Sequence, residues 1–67
     1  MKNIVFTKCE LNKRTNKKFD LNLKKGTRLE VVGESDVNNT LKVMLEGDYL
    51  CKVPLGTFEV SAEEVMI

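Results

Sequence analysis

Residues 40 to 54 read TLKVMLEGDYLCKVP, and this stretch decides the predicted fold. Apolar and polar residues alternate on both sides of Glu46-Gly47-Asp48, which is typical of two strands joined by a tight turn. A two-residue turn at Gly47-Asp48 would pair Val43 with Lys52 and would place an ammonium group among apolar side chains. A three-residue loop avoids that pairing.

With the three-residue loop, six apolar residues share one face of the hairpin. The predicted pairs are Leu45 with Tyr49, Val43 with Cys51 and Leu41 with Val53. A slip of one residue would turn the whole face to water, so we expect this register and a common interior for the six side chains. It places Asp48 in the left-handed backbone region, which Asp tolerates better than most residues.

Four further extended segments flank the hairpin and are separated by polar stretches. Strands are predicted at residues 3 to 9, 27 to 32 and 58 to 60, with a short extended segment at 19 to 23. Residues 10 to 18 form a predicted long solvated loop, and residues 33 to 39 form a polar loop. Short strands with polar connections predict an all-β fold, a small five-stranded barrel that is closed or nearly closed.

The last residues allow two interpretations. Ser61-Ala62-Glu63-Glu64 fits a capping box, which would begin a one-turn helical or 3-10 segment near the C-terminus. Alternatively, Val65 and Ile67 extend the last strand beside the first one.

The length of 67 residues predicts one domain, residues 1 to 67, with a thin core and little room for an internal cavity. The apolar run at residues 4 to 6 is shorter than a signal-peptide core or a membrane helix, so we expect a cytoplasmic protein without a membrane segment. In a reducing compartment Cys9 and Cys51 are expected to be buried free thiols, and a disulfide between them is the alternative.

The net charge of +1 conceals a strong asymmetry along the chain. Residues 1 to 28 carry a net charge of +7, and residues 29 to 67 carry a net charge of −6. Because sequence halves interleave in a barrel, the two charges can compensate each other internally. The functional alternative is a basic face that attracts an acidic partner.

Two stretches resemble the SH3 domain, over roughly residues 7 to 60. LNLKKGTRLEVV at 21 to 32 looks like the diverging turn and second strand of that family, and residues 40 to 54 are similar to its third and fourth strands, ending at Pro54. The resemblance implies that residues 10 to 20 stand where the RT loop would be and residues 33 to 39 where the n-Src loop would be. The aromatic residues with which the eukaryotic family binds proline-rich peptides have no counterpart here, so binding of PxxP peptides is not expected.

Nothing in the sequence predicts an enzyme. The chain has no His, and its two cysteines lack the spacing of a metal site or a nucleophile with a base. We therefore expect no catalytic residues, no metal and no cofactor.

The favoured hypothesis is a protein-interaction module that docks on a larger host protein. The resemblance implies a small accessory protein of bacterial or phage type, present as a monomer or weak homodimer. The predicted contacts are the loops at 10 to 20 and 33 to 39 together with an apolar pair on the outer face. The candidate protein-binding residues are Met44, Leu50, Pro54, Glu34 and Asp36.

Nucleic-acid binding through a basic loop is the alternative, since SH3-like barrels serve that use in ribosomal and transcription proteins. The candidate phosphate contacts are Lys13, Arg14, Lys17, Lys18, Lys24 and Lys25. Phe19 and Tyr49 are the aromatic residues near this tract or the hairpin, and the core requires both, so a platform for base stacking is not expected.

Overall fold

The computed structural model describes residues 3–67. Met1 and Lys2 lie outside the described residues, and Lys2 is one of the cations counted in the charge asymmetry. Residues 3–67 form seven strands and one 3-10 turn. The strands are β1 (Ile4–Thr7), β2 (Leu11–Arg14), β3 (Asp20–Leu23), β4 (Arg28–Glu34), β5 (Thr40–Leu45), β6 (Phe58–Ser61) and β7 (Val65–Met66). The 3-10 turn spans Asp48–Leu50, between β5 and β6.

The all-β class is confirmed, but the strands do not close into a barrel. Five strands form one antiparallel sheet in the order β6-β5-β4-β1-β7, and β2 and β3 form a separate two-stranded hairpin. The predicted closed or nearly closed five-stranded barrel is therefore replaced by a sheet and a hairpin that share one core.

The core consists of alternating residues that point to one side of the main sheet. Leu29 and Val43 are completely buried, and Leu11 and Leu23 cover them from the β2–β3 hairpin. The buried apolar residues are Val5, Leu11, Leu23, Leu29, Val43, Phe58, Val60 and Val65. Each strand thus contributes one or two side chains, as expected for a thin core in a short chain.

The predicted hairpin partner of β5 is wrong. β5 pairs with β6 instead, with Leu41 opposite Val60 and Val43 opposite Phe58. Tyr49 and Val53 are 51% and 70% exposed, so the six apolar residues do not share one interior.

The buried carboxylate of Asp48 explains this difference. Gly47, not Asp48, takes the left-handed conformation, with φ of 80°, and the chain then enters the 3-10 turn. The Leu55 and Gly56 amides donate hydrogen bonds to Asp48 Oδ1 and Oδ2, at 2.9 and 3.0 Å. These bonds fold residues 48 to 56 into a compact loop, so the alternating residues 49 to 53 do not continue along β5.

Two other expectations about the first half and the cysteines are also wrong. Residues 10 to 18 are not one solvated loop, because residues 11 to 14 form β2 and Leu11 is buried opposite Leu23. Cys9 and Cys51 are free, but both are exposed rather than buried.

At the C-terminus, the strand interpretation is confirmed for Val65, which lies opposite Thr7. The Ser61 amide donates a hydrogen bond to Glu64 Oε1, as in a capping box, but these residues form a turn between β6 and β7. The predicted helical or 3-10 segment at these residues does not form, and the 3-10 turn at Asp48–Leu50 was not predicted.

Candidate functional site

A cleft of about 490 Å³ lies between the tip of the β2–β3 hairpin, the loop joining β4 to β5, and the start of β6. We call it the loop cleft. Its lining consists of Arg14, Thr15, Asn16, Glu34, Ser35, Asp36, Val37, Lys42, Thr57, Phe58 and Glu59. These residues belong to four segments, 14 to 16, 34 to 37, Lys42 on β5, and 57 to 59, so the fold, and not any single motif, creates the cleft.

The hairpin tip forms one wall and is tied to β6 by Asn16. The Asn16 amide donates to the Thr57 carbonyl oxygen at 2.8 Å, and the Thr57 amide donates to Asn16 Oδ1 at 3.0 Å. Inside the tip, the buried Thr15 hydroxyl accepts hydrogen bonds from the Lys17 and Phe19 amides. This wall is therefore held by both internal and tertiary hydrogen bonds.

The β4–β5 loop forms the opposite wall and is also tied at two points. The Ser35 hydroxyl bonds to the Glu59 carboxylate and accepts a hydrogen bond from the Val37 amide. The Ala62 amide donates to the Asn39 carbonyl oxygen at 2.6 Å. A second cavity of about 340 Å³ shares Glu34, Ser35 and Val37 with the loop cleft and extends along this loop.

The charged side chains that line the loop cleft differ in whether they have a partner nearby. Glu59 lies opposite Lys42 in the sheet and bonds to Ser35, and Arg14 lies 3.7 Å from Asp20.

The remaining two acids of the lining, Glu34 and Asp36, are exposed. Neither side chain forms an ion pair or hydrogen bond with another residue of the described range 3–67. The rim thus carries two carboxylates without an ion-pair partner, and the charged residues of the lining are three acids and two cations, a net charge of −1, which favours a cationic ligand group.

The protein-binding residues predicted from sequence fall in different places. Glu34 and Asp36 line the loop cleft together. Met44 and Leu50 were expected to be neighbours on the outer face, but the strand pairing that would join them does not form. Leu50 is 74% exposed in the 3-10 turn, and Pro54 is half-buried in the loop that Asp48 folds.

The predicted basic residues are divided between the two ends of the β2–β3 hairpin. Lys17 and Lys18 are exposed at its tip, and Lys24 and Lys25 are exposed beyond its other end. The strand between them spans about 10 Å at roughly 3.4 Å per residue.

The other two predicted cations lie on β2 and have acidic partners. Lys13 Nζ lies 2.9 Å from Glu64 Oε1, and Arg14, beside Asp20, lines the loop cleft. The six cations therefore do not form one continuous strip.

Sequence reasoning missed Lys42, Thr57 and Glu59 as cleft residues, and it included Asn16 only as an unnamed member of the contact loop at 10 to 20. Lys42 and Glu59 belong to the β5–β6 pairing, which the predicted register excluded. Asn16 gives no local signal, because its partner Thr57 lies 41 residues away.

Within residues 3–67, no group of three or more Cys, Asp or Glu side chains is arranged to hold a metal ion. No helix in this range has the length and apolar character needed to cross a membrane. In comparisons with known proteins, no family model, curated protein or solved structure matches the chain.

Proposed function

We propose that the chain is a non-enzymatic protein-interaction module that docks on a larger protein through the loop cleft. The main support for this proposal is the pair of carboxylates without an ion-pair partner in residues 3–67, Glu34 and Asp36, on the rim of a cleft whose two walls are tied by hydrogen bonds. A cleft held in place loses little conformational freedom on binding, which favours affinity. The ligand that fits these charges is an extended protein segment carrying Lys or Arg.

The resemblance to the SH3 domain supports the same location. The β2–β3 hairpin stands where the RT loop of that family would be, and the β4–β5 loop stands where its n-Src loop would be. We propose an open, SH3-like arrangement that uses the cleft between these two segments, with charged groups in place of the family's aromatic ones. The proposed role is that of a small cytoplasmic accessory protein of bacterial or phage type.

Selection from a phage-displayed library of random dodecapeptides tests the proposal. We expect the wild-type protein to enrich peptides containing Lys or Arg. The double variant Glu34→Gln/Asp36→Asn should lose at least about tenfold in affinity for them, as expected when charge-assisted contacts are removed. The matched control, Glu10→Gln/Glu63→Gln, removes two exposed acids outside the loop cleft and should bind like wild type. Equal binding by both double variants would refute the assignment of the cleft.

Nucleic-acid binding is the second candidate, favoured by the exposure of Lys17, Lys18, Lys24 and Lys25, none of which forms an ion pair within residues 3–67. A labelled pool of DNA and RNA fragments, tested by gel retardation at low salt, separates the two functions. Phosphate contacts weaken steeply as the salt concentration rises. Retardation that is lost on changing these four lysines to Gln, but kept in the Glu34→Gln/Asp36→Asn variant, would establish the second candidate.

A further inference from the structure

The main sheet has an outer face that contains several apolar side chains. Across three strands, Ile4, Glu30 and Met44 lie side by side, because Glu30 pairs with Ile4 on β1 and with Met44 on β5. Phe6 lies in the next row between Arg28 and Met66. Residues of one strand alternate between faces, so this face is opposite the one that buries Val5, Leu29 and Val43.

The basic residue Arg28 and the acidic residue Glu30 on this outer face differ in whether their charged groups have partners. Arg28 Nε donates to Glu46 Oε1 at 2.8 Å, and its guanidinium lies 5.3 Å from the centre of the Phe6 ring. The hydrogen bond with Glu46 raises the pKa of Arg28. Arg28 therefore has both a counter-charge and an aromatic contact.

Glu30, by contrast, has a buried carboxylate oxygen, Oε1, without a hydrogen-bond partner in the described part of the chain. Its neighbours across the sheet are the apolar residues Ile4 and Met44. A buried polar atom without a partner costs free energy in the folded state. Such a group therefore requires an explanation other than stability.

We propose that the outer face is a second docking surface, for a protein segment that presents an arginine or lysine among apolar side chains, with Glu30 as its counter-charge. Glu30 is only half-buried, so a cation can approach its carboxylate from the outer face, and because Oε1 has already lost its hydration, the carboxylate loses less further hydration on pairing than an exposed acid would. The partner's apolar side chains would cover Met44 and the exposed residues Val32 and Met66. A guanidinium group fits best, because it is flat and weakly hydrated.

The outer face does not include the two rim carboxylates of the loop cleft, but it lies close to the loop cleft. Lys42, which lines the loop cleft, is two residues from Met44 along β5 and therefore projects from the same side of the strand. A protein bound in the loop cleft can thus continue onto the outer face. The inference does not depend on the proposed function, because Glu30 and the rim carboxylates can be changed independently.

Titration with n-butylguanidinium, a mimic of the arginine side chain, tests the proposal on the intact protein. With the methionine methyl groups labelled with ¹³C, we expect saturable shifts of the Met44 signal, with a dissociation constant on the order of millimolar for so small a ligand. Neither n-butanol nor guanidinium chloride at the same concentration should reproduce them. Glu30→Gln and Glu30→Met should each weaken the interaction at least about fivefold, whereas Glu10→Gln, at an exposed acid outside the outer face and the loop cleft, should leave it unchanged.

Three results would overturn the proposal. One is the absence of saturable Met44 shifts in the wild-type protein. Another is equal affinity in the wild-type protein and in both Glu30 variants, each verified as folded by its amide spectrum. The third is an equally large loss of affinity in Glu10→Gln, which would show that the Met44 shifts do not report on Glu30.

Discussion

Asp48 is the residue that decides the course of the chain after β5. Its side chain is buried and accepts two backbone hydrogen bonds, from Leu55 and Gly56. We expect Asp48→Ala to lower the free energy of unfolding by about 2 to 3 kcal/mol, because both amides lose a charged acceptor. Urea denaturation followed by circular dichroism measures this change.

Asp36→Ala is the matched control, since Asp36 is exposed and has no hydrogen-bond or ion-pair partner within residues 3–67. It should change stability by less than about 0.5 kcal/mol. A similar loss in both variants would mean that Asp48 does not hold the loop.

Gly56 is the glycine whose replacement is expected to be most costly, since its φ is +102° and a β-carbon would overlap Asn16 Oδ1. Gly26 also has a positive φ, of +85°, but a β-carbon there meets open space. Gly26→Ala should cost about 1 kcal/mol from the backbone alone. Gly56→Ala should cost at least about 1 kcal/mol more, because Asn16 must move and release the Thr57 amide. Equal melting curves for the two variants would contradict this account of the hairpin tip.

At the scale of the elements, the sequence predicts the position of a strand where the alternation of apolar and polar residues is confined to that strand. The predicted strand at 27 to 32 matches β4, and the segments at 3 to 9 and 58 to 60 contain β1 and most of β6. The pairing partner of β5 was wrong because residues 49 to 53 and residues 58 to 60 both alternate. Period-two alternation cannot choose between them, and the choice depends on the tertiary hydrogen bonds of Asp48.

A pair of valines distinguishes the observed partner of β5 from the predicted one. Val60, on β6, is 1% exposed, whereas Val53, in the loop, is 70% exposed. Val60→Ala should destabilise the protein by roughly 1.5 to 3 kcal/mol, through lost burial and a residual cavity. Val53→Ala should remain within about 0.5 kcal/mol of wild type. Chemical denaturation of the two variants measures both values. A larger loss of stability in Val53→Ala than in Val60→Ala would support the predicted hairpin partner instead of the observed one.

The turn between β6 and β7 makes stability depend on pH. The hydrogen bond from the Ser61 amide, and then the contact with Lys13, lower the pKa of Glu64 below its ordinary value of 4.5. A lowered pKa in the folded state means that this carboxylate stabilises the protein above pH 4.5 and that the contribution is lost as the pH falls through the folded-state pKa.

Glu64→Gln should therefore make stability less dependent on pH below 4.5. The control Glu63→Gln changes an exposed neighbour that forms no hydrogen bond within residues 3–67, and it should keep the wild-type dependence. Thermal unfolding of both variants at pH 3 to about 7 measures the difference. An unchanged dependence in Glu64→Gln would contradict the role of this turn.

At the scale of the whole molecule, sequence reasoning placed Glu34 and Asp36 in one interaction surface, and the structure brings them to one cleft. The two acids lie together because both belong to a single short loop, and their role in binding stays a prediction. The opposite wall was only partly predicted: residues 10 to 20 were named as a contact loop, but their position depends on the hydrogen bonds between Asn16 and Thr57. The outer face could not be predicted, because its composition follows from the register of β1, β4 and β5.

Amide chemical shifts of the wild-type protein, titrated with a Lys- or Arg-containing dodecapeptide from the selection, show directly whether the loop cleft binds such a segment. We predict that the largest shifts fall on Asn16, Glu34, Asp36, Val37 and Thr57, which line the loop cleft. Shifts concentrated at Lys24 and Lys25, or in the loop from 49 to 53, with the cleft amides unmoved, would contradict it.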